Sequence, residues 1–290
     1  MAQTTTTTLA TAVPSEFLAK QIIEEVRPFN TVAPLFKNIV MPSGSGKVWH
    51  ENSLPSTTAS SVNEASDITP AARTTSEKTI TVAEVGLGTE VTDFADEISI
   101  IQNQMAEWAA SQGRAIGQKI TGDCCALFSS LNSGTAVGST GVDITIANFL
   151  EAMYTLAAAN APGLASCVLH PRQVYDLFTA ISAATGQPFS SVADLVRTGA
   201  LPEGTPAAGY SGILFGVPIY NTTEVDTANS GADYCGAMFT PGAMGIAKLR
   251  PIRIEYDRDA SKRSTEVIGT AVYGVGELKD TWGVPIETDA

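Results

Sequence analysis

Residues 33–91 are the part of this chain hardest to place inside a single globule. They are polar and strand-like, and a long amphipathic helix is predicted directly behind them from about Phe94. Over residues 78–92 (KTITVAEVGLGTEVT), Ile80, Val82 and Val91 fall among Thr and Glu, the alternation of a half-buried strand. Before them come a PSGSGK turn at 42–47 and a Ser/Thr/Ala-rich stretch at 53–66. Folded back once, each leg reaches up to roughly 60–80 Å at ~3.3 Å per residue. A core built from the remaining residues has a radius of gyration of only about 17 Å. The excursion therefore projects beyond its own core, and an isolated two-stranded hairpin is marginal in water. The expectation is that it lies on another copy of the chain.

The 290 residues suffice for one or two domains with a sizeable core. Seventeen Lys and Arg against 30 Asp and Glu give a net charge of -13, which opposes broad attraction to nucleic-acid phosphates or an anionic membrane. The N-terminal MAQTTTTTLATAV has neither a basic nor an apolar signal-peptide region, and no apolar run approaches the ~20 residues that span a bilayer. Cys124, Cys125, Cys167 and Cys235 have no CxxC spacing, so reduced, buried thiols are expected rather than a disulfide framework or a zinc site.

Along the chain, the Thr-rich residues 1–13 lead into SEFLAKQIIEEV at 15–26, a short helix with Phe17, Leu18, Ile22 and Val26 on one stripe and Pro28 ending it. That stripe needs a surface elsewhere, which makes this segment an arm. After Thr92 and Asp93, the residues Phe94, Ile98, Ile101, Met105, Trp108, Gln112, Ile116 and Ile120 recur at alternating three and four, one apolar face of a helix to about 121. At ~1.5 Å per residue it spans roughly 40 Å and serves as a spine. A second helix is read over 144–161, then a buried strand at 167–169 and a helix opened by Pro171, in α/β alternation. From Ala237 the chain is β, with strands at 252–256 and 266–275 joined by the charged turn 257–264.

The sites a catalytic reading requires are missing. PSGSGKV lacks the first phosphate-loop glycine, since Met41 stands there, and Val48 replaces the magnesium-holding hydroxyl, so it reads as a turn at the tip of the excursion. Tyr210, Ser211 and Gly212 do not form a nucleophile elbow. His170 sits between strand and Pro171, where it either orients a hydrolase nucleophile or, more plainly, caps the strand with backbone bonds; His50 is the only other histidine. The run DRDASKR is a solvated turn or an intersubunit ion-pair site. No catalytic, cofactor or metal residue is assigned.

The order of arm, excursion, spine helix, α/β middle and closing β-segments resembles the tailed-bacteriophage major capsid protein of the Hong Kong 97-like fold, an α+β class. VLHPRQVYDL at 168–177 looks like the strand-to-helix segment of that family's middle domain, and FGVPIYNTTEV at 215–225 like the strand that follows. PGAMGIAKLRPIRIEYDRD at 241–259 and TAVYGVGELKDTWGVPIETDA at 270–290 look like its closing segments. The resemblance implies an N-terminal arm at 1–32, an extended loop at 33–91, a peripheral domain at 92–146 with 245–290, and an axial domain at 147–244. It implies self-assembly through hexamers and pentamers into an icosahedral shell around double-stranded DNA, contacted non-specifically, in a virion assembled in the host cytoplasm. The implied partners are a portal, a separate scaffolding protein and a decoration protein, with no membrane. Some relatives cross-link through a loop lysine, and Lys47 and Lys78 lie in the corresponding loop, but no matching asparagine motif is present. Phe17, Ile22, Val48, Trp49, Ile80 and Val82 are the candidate assembly contacts. An encapsulin-like cellular compartment shares the architecture, and a hydrolase using His170 is the reading from another class.

Overall fold

The structure, a computed structural model, describes residues 32–54, 57, 59, 61–64, 67–68, 72–98, 104–185 and 209–289. In chain order these give β1 (Lys37–Val40), β2 (Val48–Ser53), β3 (Ser76–Thr81), β4 (Ala83–Thr92), α1 (Asp93–Ile98), α2 (Gln104–Cys125), β5 (Val137–Gly138), α3 (Ile146–Ala158), β6 (Ser166–Leu169), α4 (Pro171–Thr185), β7 (Tyr210–Leu214), β8 (Val217–Asn221), β9 (Thr227–Ala228), β10 (Asp233–Phe239), β11 (Met244–Asp259), β12 (Ser264–Glu277) and β13 (Gly283–Asp289). Of the predicted spine, α1 and α2 are seen; their junction, with Ile101, lies outside the described residues.

Two principal sheets organise the chain. The first has four strands in the order β1-β11-β12-β4. Its centre is the expected C-terminal hairpin, longer than read from the sequence, with Met244 opposite Glu277 at one end and Asp259 opposite Ser264 at the other. The second has seven strands in the order β5-β13-β10-β6-β8-β7, with β9 on β10. Its central residues alternate between two cores, as the period of a strand requires. Cys167 and Leu169 face α3 and α4 with Phe149, Leu177, Ile219 and Met238. Val168, between them, faces the other core with Cys124, Phe128, Tyr220 and Phe239.

Local chemistry sets the helix starts. The Thr145 side chain accepts a hydrogen bond from the Asn148 amide at 3.3 Å and caps α3. Pro171 begins α4, where its missing N–H costs no hydrogen bond. Gln173, wholly buried, donates through Nε2 to the Thr288 hydroxyl at 2.8 Å and the Tyr234 carbonyl at 2.9 Å, tying α4 to β13 and β10.

Strand pairing divides the chain differently from the sequence reading in two places, at residues 283–289 and at residues 33–41. β13 pairs with β10 along its whole length, from Phe239 opposite Gly283 to Asp233 opposite Asp289. Residues 283–289 thus belong with the α/β middle rather than with β11 and β12. Residues 33–41, read as the start of the excursion, are built into the body: β1 runs parallel to β11, and Ala33, Leu35, Phe36, Ile39 and Met41 are buried. β4 is likewise a full member of the four-stranded sheet.

Candidate functional site

What projects is the shorter excursion that starts from Met41 and returns at Val82. Its stem is the antiparallel pair β2–β3, in register from Val48 opposite Thr81 to Ser53 opposite Ser76. The stem stands on the chain's own sheet. Ile80 and Val82 are only 1% and 3% exposed and pack with Ile39, Met41, Ala247 and Leu278. Removing these two side chains from water contributes about 1.5–3 kcal/mol each. They therefore fasten the stem and do not present a contact surface to a neighbour, which corrects the sequence expectation for both. The Val82 amide donates to the Lys47 carbonyl at 2.9 Å and closes the stem.

Glycines on β12 make this footing possible. A Cβ on Gly274 lies 2.3 Å from the Thr81 carbonyl oxygen, and one on Gly276 lies 2.8 Å from Ile80 Cγ1. The stem crosses β12 where only hydrogen atoms fit.

Charges on the stem are paired. Lys37 Nζ lies 2.6 Å from Glu51, and Lys78 Nζ lies 2.7 Å from Glu277. Lys37 holds the Glu51 carboxyl below its ordinary range. His50 pairs with Glu77 across the strands. Val48 and Trp49 are half-buried, Trp49 packing on the stem's core while its indole N–H donates to Glu51 at 3.2 Å. Beyond the stem, Leu54, Val62 and Ile68 are exposed, Ile68 to 77%. These three were not picked out from the sequence because single apolar residues in a polar stretch carry no periodicity. Phe17 and Ile22 lie outside the described residues.

The PSGSGK turn is at the foot of the stem, between β1 and β2, rather than at its tip. Gly44 and Gly46 take positive φ there with nothing near them, as a tight exposed turn requires. Three of the DRDASKR charges, on Arg258, Asp259 and Lys262, are paired within the chain. Arg258 donates two bonds to Asp93 at 2.7 and 2.6 Å, and Lys262 lies 3.5 Å from both Glu90 and Asp259. Hydrogen bonds from the Ser261 hydroxyl and the backbone around it hold the Asp259 carboxyl down at about 2.

His170 follows the plain reading. Its Nδ1 accepts from the Arg172 amide at 3.2 Å and its ring stacks on Tyr234 at 3.6 Å between centroids. Burial lowers its pKa. The four cysteines are free and buried. Desolvation pushes the thiols of Cys124 and Cys235 up to about 12, the reverse of an activated nucleophile. Among the described residues no group of His, Cys, Asp or Glu is placed to hold a metal ion, and no helix is long and apolar enough to cross a membrane.

The described chain is thus two sheets, a spine helix packed on one of them, and a two-stranded stem standing on β11 and β12 of that same sheet. The structure superposes on that of Mycobacterium phage Che8 with a TM-score of 0.72 at 17% identity, covering 94% of this chain and 96% of that one. It superposes on the capsid of cyanophage P-SCSP1u with a TM-score of 0.68 at 15% identity, covering 94% and 92%. For the capsid asymmetric unit of cyanophage Pam1 the TM-score is 0.68 at 15% identity, with 97% of both chains covered. The fold is thus the Hong Kong 97-like capsid fold. No curated protein matches the sequence. Residues 75–284 match the family described as phage capsid protein, and the chain belongs to that family. It is a structural, shell-forming protein of the phage virion.

Proposed function

We propose that this chain is the major coat subunit of a tailed phage, closing through hexamers and pentamers into an icosahedral shell around double-stranded DNA. The observation that carries the reading is the stem: it is fastened to its own sheet by Ile80 and Val82, yet holds Leu54, Val62 and Ile68 exposed at its far side. Apolar groups held away from their own core contribute only when a neighbour covers them. On this reading 92–146 with 245–282 form the peripheral unit, and 147–244 with 283–289 the axial unit. The subunit acts by burial and not by turnover. Assembly takes place in the host cytoplasm with a portal, a separate scaffolding protein and a decoration protein as partners, and DNA is met without sequence reading. The net charge of -13 is consistent with that limited contact.

The test replaces residues 54–75 by an Asn-Gly turn, which leaves β2 and β3 paired. The expected product is a folded, soluble subunit that forms no shells by negative-stain electron microscopy, where the unaltered chain does. Normal particles from the shortened chain overturn the reading of the stem.

A further inference from the structure

The tripeptide Asn-Ser-Gly occurs twice in the described chain, at 132–134 between α2 and β5 and at Asn229–Gly231 between β9 and β10. Both copies take the same left-handed backbone: φ is +50°, +54° and +73° at Asn132, Ser133 and Gly134, and +51°, +62° and +90° at Asn229, Ser230 and Gly231. Each turn closes on itself, through the Thr135 amide to the Asn132 carbonyl at 3.0 Å and the Ala232 amide to the Asn229 carbonyl at 3.4 Å. Ser133 and Ser230 are the only serines with positive φ among the described residues. Glycine enters this region freely, whereas serine is strained in it. A serine held there points to a use for its hydroxyl.

The first turn shows that use. The Ser133 amide donates to Asp280 Oδ1 at 2.9 Å and the Ser133 hydroxyl donates to Asp280 Oδ2 at 2.8 Å, so one residue grips both oxygens of a carboxylate. Donors to an ionised acceptor make the stronger hydrogen bonds, and a turn that frees its backbone N–H is a natural anion cradle. Asp280 lies 147 residues along the chain, so the turn recruits its carboxylate from elsewhere in the fold. Ser133 is itself exposed, and the grip needs no burial.

The second turn has the same donors and no acceptor. Ser230 is exposed, and neither its amide nor its hydroxyl has a partner among the described residues. The nearby acid, Asp233, is engaged elsewhere: it accepts from the Gly141 amide at 2.8 Å and from the Asn229 side-chain amide, which also donates to the Thr140 hydroxyl at 2.9 Å. Those bonds explain Asn229 and leave Ser230 without a reason inside its own chain. The chain carries 30 Asp and Glu against 17 Lys and Arg, so in one-to-one pairing 13 carboxylates of every copy lack a cation. Where two such copies meet, a neutral N–H and O–H pair takes up a surplus carboxylate without a cation.

We propose that Asn229–Gly231 is a carboxylate-binding turn, and that in the assembled shell Ser230 grips an acidic side chain of a second copy as Ser133 grips Asp280. The identity of the occupant rests on the shell-forming reading above; the site itself does not.

The site is tested by nuclear magnetic resonance on unassembled full-length subunits carrying isotope-labelled serine. Sodium acetate should move the Ser230 amide proton downfield, and sodium chloride at the same ionic strength should not. The Ser133 amide, already bonded, should stay still, and in the Asp280→Ala variant it should respond to acetate as Ser230 does. An unmoved Ser230 amide overturns the site, as does a Ser133 amide that stays still after Asp280→Ala. An equal or larger movement with inorganic phosphate overturns a carboxylate as the ligand. The occupant is tested by assembling Ser230→Lys subunits with an excess of unaltered, heavy-isotope subunits and adding a water-soluble carbodiimide. The reagent joins the new amine to an adjacent carboxylate as an amide and takes up the water released, becoming a urea. Peptide mass spectrometry is expected to find a light–heavy link from residue 230 to an Asp or Glu in particles and none in unassembled subunits, while Ser133→Lys links to Asp280 within one chain. Particles without a link from residue 230, or with one inside a single chain only, overturn the second copy as occupant. Grids without shells overturn the shell reading and the second copy with it, and the acetate response still decides the site.

Discussion

Replacing Gly274 by alanine places a methyl group where the foot of the stem crosses β12. The new carbon lies 2.3 Å from the Thr81 carbonyl oxygen, 2.8 Å from its carbon and 3.1 Å from the Val82 Cα. Ordinary contact requires the stem backbone to retreat by about 1 Å, and a packed interior has little free space to receive it. That backbone is held on either side by Ile80 and Val82, both essentially buried. Strained overpacking costs about 1–3 kcal/mol, whereas releasing both side chains to water costs about 3–6 kcal/mol. The chain takes the cheaper route, so the expected loss is about 3 kcal/mol. In urea denaturation of unassembled subunits, a slope of about 3 kcal/mol/M turns this into a midpoint lower by about 1 M. Amide exchange over β3 should accelerate in parallel. An unchanged midpoint with unchanged exchange would mean that the stem does not stand on β12, and the account of its anchoring would fail.

Three further outcomes follow from the same geometry. Gly113 lies inside α2 with open space where a Cβ would go, so Gly113→Ala should raise stability by about 1 kcal/mol, read as a higher melting temperature; a decrease would place an unseen neighbour there. The four buried thiols should be silent to Ellman's reagent in the native subunit and all react in denaturant, and prompt labelling of any of them contradicts its burial. Burial also pushes Cys124, Cys235 and Tyr220 up to about 12, so the folded chain keeps protons that the unfolded chain releases above pH ~8.5 for the thiols and ~10 for the phenol. Their stabilisation is complete below that range and is lost as pH rises toward 12; melting temperatures should fall between pH 8 and pH 11, and a flat profile refutes the assignment.

Elements defined by local periodicity were legible in the sequence. The alternating three-and-four spacing through Trp108, Ile116 and Ile120 marks α2, Pro171 marks the start of α4, and the charged turn at 257–264 marks the β11–β12 hairpin. Pairing between distant segments was not legible. A strand pattern states which residues share a face but not which sheet receives them, so nothing in GVPIETD separates β13 from the hairpin just before it. Residues 33–41 were assigned to the excursion although Leu35, Phe36, Ile39 and Met41 are core residues, and their apolar density was the signal available. Ile80 was rightly seen as the buried side of a strand, whereas the single strand read over 78–92 is two, with buried Val82 as the break between β3 and β4. The partner of Ile80 and Val82 was misjudged, because alternation does not say whose core a strand covers.

The last-made strand has a consequence for timing. The seven-stranded sheet holds β13 between β10 and β5, and the stem rests on β12, so both the sheet and the footing of the stem wait for residues beyond 260. Contacts of such long sequence separation form late, after loop closure has been met. Until β11 and β12 are present, Ile80 and Val82 have no surface of their own chain to stand on. A chain that lacks Gly283–Asp289 leaves β10 without its full-length partner, and the seven-stranded sheet is not closed on that side.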